Sequence, residues 1–299
     1  MLFSDKLILM IKKLKIKLRI YWQLIKSLQT LLLLLTGITG FISSRCPYIS
    51  WELTLGMIIS LFLTISGTTV YNMLWDRSID AKMQRTKHRP LPAKKISIKE
   101  TVIFGTVLNV LGLSLAYYLS PLYALIVFAG LFIDFFIYTI WLKRTSAWSI
   151  LWGGISGGMP ILAGRVLGIG EIDLIGILLA LSVIFWIPTH IMTFNMRHFE
   201  DYNNAKIPTF ASKYGFKNVR LIIALSTISS ALAFALGAFA LGLSWSFLRV
   251  LLLLAIIAFG FAVYSIIKPS DKSNFQVFKV ASLYMFFAML IIILGSIFY

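Results

Sequence analysis

Long apolar segments, separated by short polar ones, dominate the pattern of the chain. A segment of roughly 17–25 apolar residues has the length that an α-helix needs to cross the hydrocarbon core of a bilayer. Nine such segments are present, at residues 28–44, 53–75, 101–119, 121–142, 148–168, 172–194, 221–243, 245–267 and 277–298. The pattern therefore predicts an all-α membrane protein with nine transmembrane helices.

The composition agrees with this class. Of the 299 residues, 59% are hydrophobic and 13% are charged, whereas a soluble domain carries about 25% charged residues. No polar stretch is long enough to form a separate soluble domain. We therefore expect a basic segment at residues 1–26, followed by one nine-helix domain at residues 27–299 with polar loops at residues 76–100 and 195–220.

The basic residues are distributed unevenly along the chain. There are 28 Lys and Arg against 11 Asp and Glu, a net charge of +17. With a cytoplasmic N-terminus, 25 of these 28 residues fall on the cytoplasmic side, as the positive-inside rule requires. We therefore predict a cytoplasmic N-terminus, an external C-terminus and a location in the cell membrane. Nucleic-acid binding is not expected, because no recognition module accompanies the charge.

The N-terminal segment, residues 1–26, alternates Leu and Ile with Lys and Arg, and no small-residue cleavage site follows it. This pattern is typical of an amphipathic helix on the inner leaflet rather than of a signal peptide. We expect the segment to act as an anchor and not as part of a site.

The first polar loop opens with a ladder of oxygen-bearing side chains. Asn72, Asp76 and Asp80 are spaced by four residues, so they share one face of a helix. Two carboxylates and an amide form a hard oxygen site suited to Mg²⁺ with a bound phosphate, although polar residues at a helix end can also be merely solvated. Arg85 and Arg89 follow and are predicted to bind a diphosphate or carboxylate, unless the positive-inside bias alone explains them.

The second polar segment begins inside the sixth apolar stretch. If the helix continues beyond the bilayer, His190, Phe194, Arg197 and Asp201 form one stripe. Polar groups at the depth of His190 usually face a cavity, which favours a functional site. A buried histidine that only packs against its neighbours is the alternative.

Asp134 lies within the fourth apolar stretch, four residues before Tyr138. A carboxylate at this depth costs about 3 kcal/mol on insertion scales, so it should face the interior or pair with a cation. A tether between helices and a role in the site both remain open. The small residues of Gly153–Pro160 favour close helix packing and a kink.

Four sequence motifs lie in these polar and small-residue segments. They are YN-x-x-x-DR-x-x-DA-x-M-x-RT-x-x-RPL at Tyr71–Leu91, YT-x-x-LKR-x-S at Tyr138–Ser146, GG-x-x-G-x-x-P at Gly153–Pro160, and FW-x-P-x-H followed by DY and A-x-IP at Phe185–Pro208. Together they resemble the protoheme IX farnesyltransferases (haem O synthases), a branch of the UbiA-type intramembrane prenyltransferases.

This resemblance implies nine helices around a central cavity whose active site faces the cytoplasm. It implies transfer of a hydroxyfarnesylethyl group from farnesyl diphosphate to a vinyl group of haem b, which is a substrate rather than a cofactor. Mg²⁺ would be bound by Asn72, Asp76 and Asp80. Catalytic roles are further implied for His190 and Asp201, and substrate contacts for Arg85, Arg89, Tyr138, Lys143, Arg144 and Arg197.

Two alternatives remain at this stage. A prenyltransferase of the same type could act on a quinone precursor or on the glycerol phosphate of an archaeal lipid, but the second D-x-x-x-D of those branches is missing from the His190 segment. A transporter would have helices broken by Gly and Pro in both halves, whereas only the fifth apolar stretch has a strong Gly/Pro cluster.

Overall fold

The computed structural model describes residues 2–45 and 50–298, and side chains from residue 10 onward within those ranges. Every regular element in them is helical. In chain order they are α1 (Leu2–Leu24), α2 (Ser27–Ser43), α3 (Trp51–Asp80), α4 (Ile98–Leu119), α5 (Pro121–Phe132), a π-helix (Ile133–Leu142), α6 (Ser149–Ile169), α7 (Leu174–Arg197), α8 (Phe199–Asn204), α9 (Phe210–Ala240), α10 (Trp245–Ile267) and α11 (Asp271–Ile297).

The predicted all-α membrane class is confirmed. Eight helices of the described ranges are long and apolar enough to cross a bilayer, if α5 and the π-helix are taken as one span, Pro121–Leu142. The number rises to nine when α1 and α2, bent by 53° at their junction, are counted as one broken span. The direction in which the helices cross the membrane stays a prediction from charge.

Polar side chains set where several helices begin. Five side chains accept a hydrogen bond from a backbone N–H in the first turn of the helix that follows them, those of Ser50, Ser97, Ser120, Asp173 and Thr209. Each bond satisfies a backbone donor that has no partner inside the helix. Such caps let helices extend beyond their apolar stretches into the polar interface.

The polar segments consequently contain more helix than expected. Helix α3 runs through Asp80, and residues 195–220, expected to form a loop, are largely helical because α7 ends at Arg197 and α9 already begins at Phe210. The expectation of a long loop there is wrong because an apolar stretch marks only the part of a helix inside hydrocarbon.

Small residues determine how closely the central helices approach. A Cβ atom added at Gly40 of α2 would lie 1.9 Å from the carbonyl oxygen of Ile161 in α6, and one added at Gly158 would lie 3.0 Å from that of Ala180 in α7. Only glycine fits such backbone contacts. The interpretation of Gly153–Pro160 as a close-packing segment is therefore confirmed for the contact between α6 and α7.

A buried ion pair joins the ends of α2, α6 and α7. The Arg165 side chain, 5% exposed, donates to both carboxylate oxygens of Asp173, over 2.8 Å from Nε and 2.6 Å from Nη2. Its Nη1 donates to the Ser43 carbonyl oxygen over 2.7 Å. These contacts lie at the end of the bundle opposite to Asp76 and Asp80, since α2 and α6 run antiparallel to α3.

The N-terminal helix α1 contacts the start of α4. The Tyr21 hydroxyl donates to Glu100 over 2.5 Å, and Lys17 forms an ion pair with Glu100 over 3.0 Å. Most described side chains before Tyr21 are exposed, and the exposed ones include leucines as well as lysines. The contact of this face with a membrane surface stays a prediction.

Candidate functional site

A cavity of about 510 Å³ lies between α2, α3, α5, the π-helix, α6, α7 and α11. Most of its wall is apolar, with contributions from Leu61, Val127, Met159, Pro160 and Ala163. One end differs, and we call it the polar end, defined by Asn72, Asp76, Asp80, Arg85, Arg89 and Lys143. The cavity thus joins an apolar chamber to a cluster of charges.

The oxygen ladder lies in the last turns of α3 and lines this cavity. Asp76 is 6% exposed and Asp80 is 4% exposed, although both belong to a polar stretch of sequence. A solvated helix end, the alternative drawn from sequence, is therefore wrong for these two carboxylates. Buried carboxylates need cations or hydrogen-bond donors nearby.

Two predicted substrate-binding cations supply that charge. Nη1 of Arg89 lies 3.0 Å from Oδ1 and 2.9 Å from Oδ2 of Asp80. Nζ of Lys143 donates to Oδ2 of Asp76. The structure thus brings both cations directly beside the carboxylates that the sequence singled out.

Two oxygens of the ladder have no partner. Oδ1 of Asp76 and Oδ1 of Asn72 are buried without a hydrogen bond, which costs about 1–3 kcal/mol for each such acceptor. A divalent cation would satisfy both. No group of three or more His, Cys, Asp or Glu suited to a metal occurs among the described residues, but Mg²⁺ is usually bound by one or two carboxylates, with water and phosphate oxygens completing the shell. The residues present therefore fit Mg²⁺.

The two polar segments of the sequence meet beside the polar end. Oδ1 of Asp201 accepts from the backbone N–H of Gln84 over 3.1 Å, and Tyr202 packs against a cluster that includes Met83 and lines the cavity. Burial raises the pKa of Tyr202, opposed by the positive charges of Lys143 and the arginines. Asp201 thus anchors the segment after α3, and its side chain is not part of the cavity wall.

Arg85 and Tyr138 also line the cavity. Cζ of Arg85 lies 4.9 Å from the centre of the Phe194 ring, and Nζ of Lys143 lies 5.6 Å from the centre of the Tyr138 ring. Both contacts have cation–π geometry. These aromatic surfaces hold the cations at the cavity without using their hydrogen-bond donors.

His190 lies in the cavity wall between two aromatic rings. Its ring centre is 4.7 Å from that of Trp186 and 4.6 Å from that of Phe278, and both pairs are stacked. Its Nδ1 lies 3.2 Å from Oγ of Ser282. The imidazole therefore has a fixed plane, and Nδ1 is the ring nitrogen that contacts Ser282.

Two predicted substrate contacts lie elsewhere. Arg144 is exposed and donates to the carbonyl oxygen of Trp75 over 2.7 Å, and Cζ of Arg197 lies 3.8 Å from the centre of the Phe275 ring. Neither lines the cavity.

The helical stripe expected from His190 to Asp201 does not form. His198, with φ −110° and ψ 30°, ends α7 before α8 begins, so the expectation is wrong.

Sequence reasoning missed one charged residue of the cavity wall. Lys26, at the junction of α1 and α2, lines the cavity although its segment was expected to be only an anchor. Its backbone is left-handed, with φ 45°. Burial lowers the pKa of Lys26 to about 8, and the charges of Arg89 and Lys143 act in the same direction. A cation directly before the first apolar stretch was the available signal.

A family model and several known proteins match the chain. The model described as the UbiA prenyltransferase family matches residues 33–290. A protoheme IX farnesyltransferase of Korarchaeum cryptofilum is 37% identical over 214 residues, 72% of each chain. One from Archaeoglobus fulgidus is 39% identical over 211 residues, 71% of this chain and 74% of that one. One from Pyrobaculum islandicum is 32% identical over 269 residues, 88% of this chain and 94% of that one.

Solved structures share the fold at low identity. A structure reported for digeranylgeranylglyceryl phosphate synthase in membranes has a TM-score of 0.80 at 20% identity, covering 95% of this chain and 99% of its own. A UbiA homologue from Archaeoglobus fulgidus bound to GPP and Mg²⁺ has a TM-score of 0.67 at 14% identity, covering 91% and 99%. At these identities the likeness establishes the fold.

Proposed function

The chain belongs to the UbiA prenyltransferase family and is a multi-pass membrane prenyltransferase, and we propose that it converts haem b to haem O with farnesyl diphosphate as donor. The relatives named protoheme IX farnesyltransferase, which match most of the chain, support this substrate pair. The motifs through which the sequence resembles that branch also contain the side chains at the polar end of the cavity.

The observation that carries the proposal is the pairing of an apolar chamber with the polar end. A prenyl diphosphate has the same two parts, a long hydrocarbon tail and a strongly anionic head. The tail would lie along the apolar wall formed by residues such as Leu61 and Val127. The head would lie among Arg85, Arg89 and Lys143, whose donors suit phosphate oxygens.

Asn72, Asp76 and Asp80 would hold Mg²⁺ there, and the ion would supply positive charge to the diphosphate as it leaves. The side chains of Arg89 and Lys143, now paired with the carboxylates, would turn part of their hydrogen bonding to the phosphate oxygens. Preorganised cations of this kind stabilise the charge that develops when the allylic C–O bond breaks.

The acceptor half of the reaction needs a carbon nucleophile and one water. The haem vinyl group would form the new C–C bond with C1 of the farnesyl cation, and water would then add to the resulting carbocation beside the porphyrin. Loss of one proton from that water leaves the hydroxyl group, with diphosphate as the other product. The apolar wall keeps bulk water from reaching the farnesyl cation first.

His190 is proposed to position the porphyrin edge or the attacking water. Stacking between Trp186 and Phe278 and the contact with Ser282 fix its ring, and Nε2 would direct a hydrogen bond into the cavity. A role as an axial ligand is not required, because haem is the substrate.

The location is proposed from charge alone. Since the segments rich in Lys and Arg are expected on the cytoplasmic side, the polar end of the cavity, which lies beside two of them, would open toward the cytoplasm. Residence in the cell membrane is proposed together with this orientation.

The test is a direct assay in lipid nanodiscs with haem b, farnesyl diphosphate and Mg²⁺. We expect a product heavier than haem b by one farnesyl group and one hydroxyl group, and Asp80→Asn should abolish its formation while the variant still inserts and remains monodisperse. Asp271→Asn, at an exposed carboxylate outside the cavity, is the matched control and should keep full turnover. Normal turnover by Asp80→Asn would rule out the ladder, and product from a quinone precursor but not from haem b would reassign the acceptor.

A further inference from the structure

Asp134 is a carboxylate within a membrane span whose role the reaction above leaves open. It lies at the start of the π-helix and lines the cavity. Nδ2 of Asn72 donates to its Oδ2 over 2.5 Å, and Oγ of Ser156, which donates to the Gly153 carbonyl oxygen over 2.9 Å, also lies 3.4 Å from its Oδ1. Both carboxylate oxygens therefore have partners from two other helices, α3 and α6.

The contact with Asn72 fixes which end of the amide faces the rest of the site. A carboxamide carries a donor on one side and an acceptor on the other, and either could be turned outward by a rotation of 180°. A carboxylate only accepts, so the NH₂ group must be the side that meets Asp134. Oδ1 of Asn72 is consequently turned away from Asp134, and it is buried without a hydrogen bond.

The second unpartnered oxygen lies on the same helix face. Asp76 follows Asn72 by one turn of α3, and its Oδ1 is likewise buried without a partner, while its Oδ2 accepts from Lys143. Each of the two side chains thus has one atom held by a neighbour and one oxygen free. A divalent cation needs oxygens presented in this way, whereas an amide that is not held could present its NH₂ group instead.

We propose that Asp134 is a positioning residue that locks the amide of Asn72 with its oxygen toward the metal and the diphosphate. The proposal rests on the proposed function, since it deepens the role of the same site. The π-helix contributes because π-type turns place side chains out of α-helical register and occur often at functional sites. Partners one shell outside a metal site orient its ligands in this manner.

A tether between α3 and the π-helix is the competing explanation. A tether needs only the hydrogen bond, whichever way it runs, and is indifferent to the oxygen of Asn72. A positioning residue acts through that oxygen. If Asp134 is only a tether, its loss should leave the metal affinity unchanged. If it is a positioning residue, its loss should lower the metal affinity.

The experiment measures Mn²⁺ binding by electron paramagnetic resonance in nanodiscs, with farnesyl thiodiphosphate present as a non-hydrolysable donor. Asp134→Leu removes the acceptor and should weaken Mn²⁺ binding about tenfold, within the range usual for loss of such a partner. In an Asn72→Ala background the same change should have no further effect, because Asp134 acts only through Asn72. Thermal unfolding of each variant checks that it is folded.

An exchange of the two side chains, Asn72→Asp with Asp134→Asn, gives a test that does not depend on tolerance of leucine. It keeps the same atoms and net charge, reverses the hydrogen bond, and still leaves an oxygen of residue 72 turned away from residue 134. We expect this exchange to bind Mn²⁺ more tightly than Asp134→Leu does, because residue 72 still presents an oxygen that is held in place by residue 134.

Three results would overturn the inference. Asp134→Leu could bind Mn²⁺ like the parent, Asp134→Leu could weaken binding equally with and without Asn72, or the exchange could bind as weakly as Asp134→Leu. Absence of Mn²⁺ binding by the parent would instead refute the metal role in the proposed function, on which the inference depends. The parent measurement thus separates the two failures.

Discussion

The ion pair between Asp80 and Arg89 allows a quantitative prediction. The Asp80 side chain is 6% exposed and that of Arg89 is 27% exposed, and Nη1 reaches both carboxylate oxygens. Removing one partner of a buried pair costs about 3–5 kcal/mol, because a charge is left buried without compensation. Partial exposure of Arg89 to the cavity screens the pair, so we expect Arg89→Met to lower the free energy of unfolding by about 2–3 kcal/mol.

The assay is unfolding in mixed micelles by titration with SDS, followed by tryptophan fluorescence. The double variant Arg89→Met with Asp80→Asn should recover more than about 1 kcal/mol of the loss, because no buried charge remains. Arg77→Met, at an exposed arginine of α3, the helix that carries Asp80, is the control and should change stability by less than about 0.5 kcal/mol. The reasoning is refuted if Arg89→Met matches this control and the double variant is simply additive, since the carboxylate would then be solvated.

Three further predictions concern other parts of the molecule. Arg165→Met should destabilise the protein by about 3–5 kcal/mol, because it leaves the carboxylate of Asp173 without its ion-pair partner. Arg249→Met, at an exposed arginine, should be neutral in the same SDS titration. Gly40→Ala should cost about 1–3 kcal/mol because its Cβ would overlap α6, whereas Gly260→Ala has free space and should not destabilise; equal stabilities would contradict the packing described. Lys26→Met should raise the KM for farnesyl diphosphate about tenfold with membrane insertion unchanged, as expected for loss of a charge-assisted hydrogen bond; an unchanged KM would place Lys26 outside the binding site.

The sequence predicted the spans well because bilayer thickness fixes the length of apolar stretches. The oxygen ladder could be predicted too, because α3 keeps its helical period through Asp80 and so places Asn72, Asp76 and Asp80 on one face. Regular helical geometry was sufficient in both cases. Arg89 was predicted from the basic residues that follow the ladder, whereas Lys143 was expected at the site only through the resemblance.

Features that depend on departures from regular helix could not be predicted in the same way. Arg197 and Asp201 fall on one stripe only if α7 continues, and the conformation of His198 ends it. Lys26 enters the cavity because its left-handed backbone turns α1 away from α2. Asp134 meets Asn72 from a π-helix, whose register no simple periodicity of the sequence reveals.

The most direct test of the account is a structure of the protein in lipid with Mg²⁺ and farnesyl thiodiphosphate. We predict a metal ion about 2.1 Å from oxygens of Asp76 and Asp80 and of the diphosphate, with the farnesyl tail along the apolar wall and Arg89 in contact with phosphate. A diphosphate bound elsewhere, with both carboxylates still paired only to Arg89 and Lys143, would contradict the central claim.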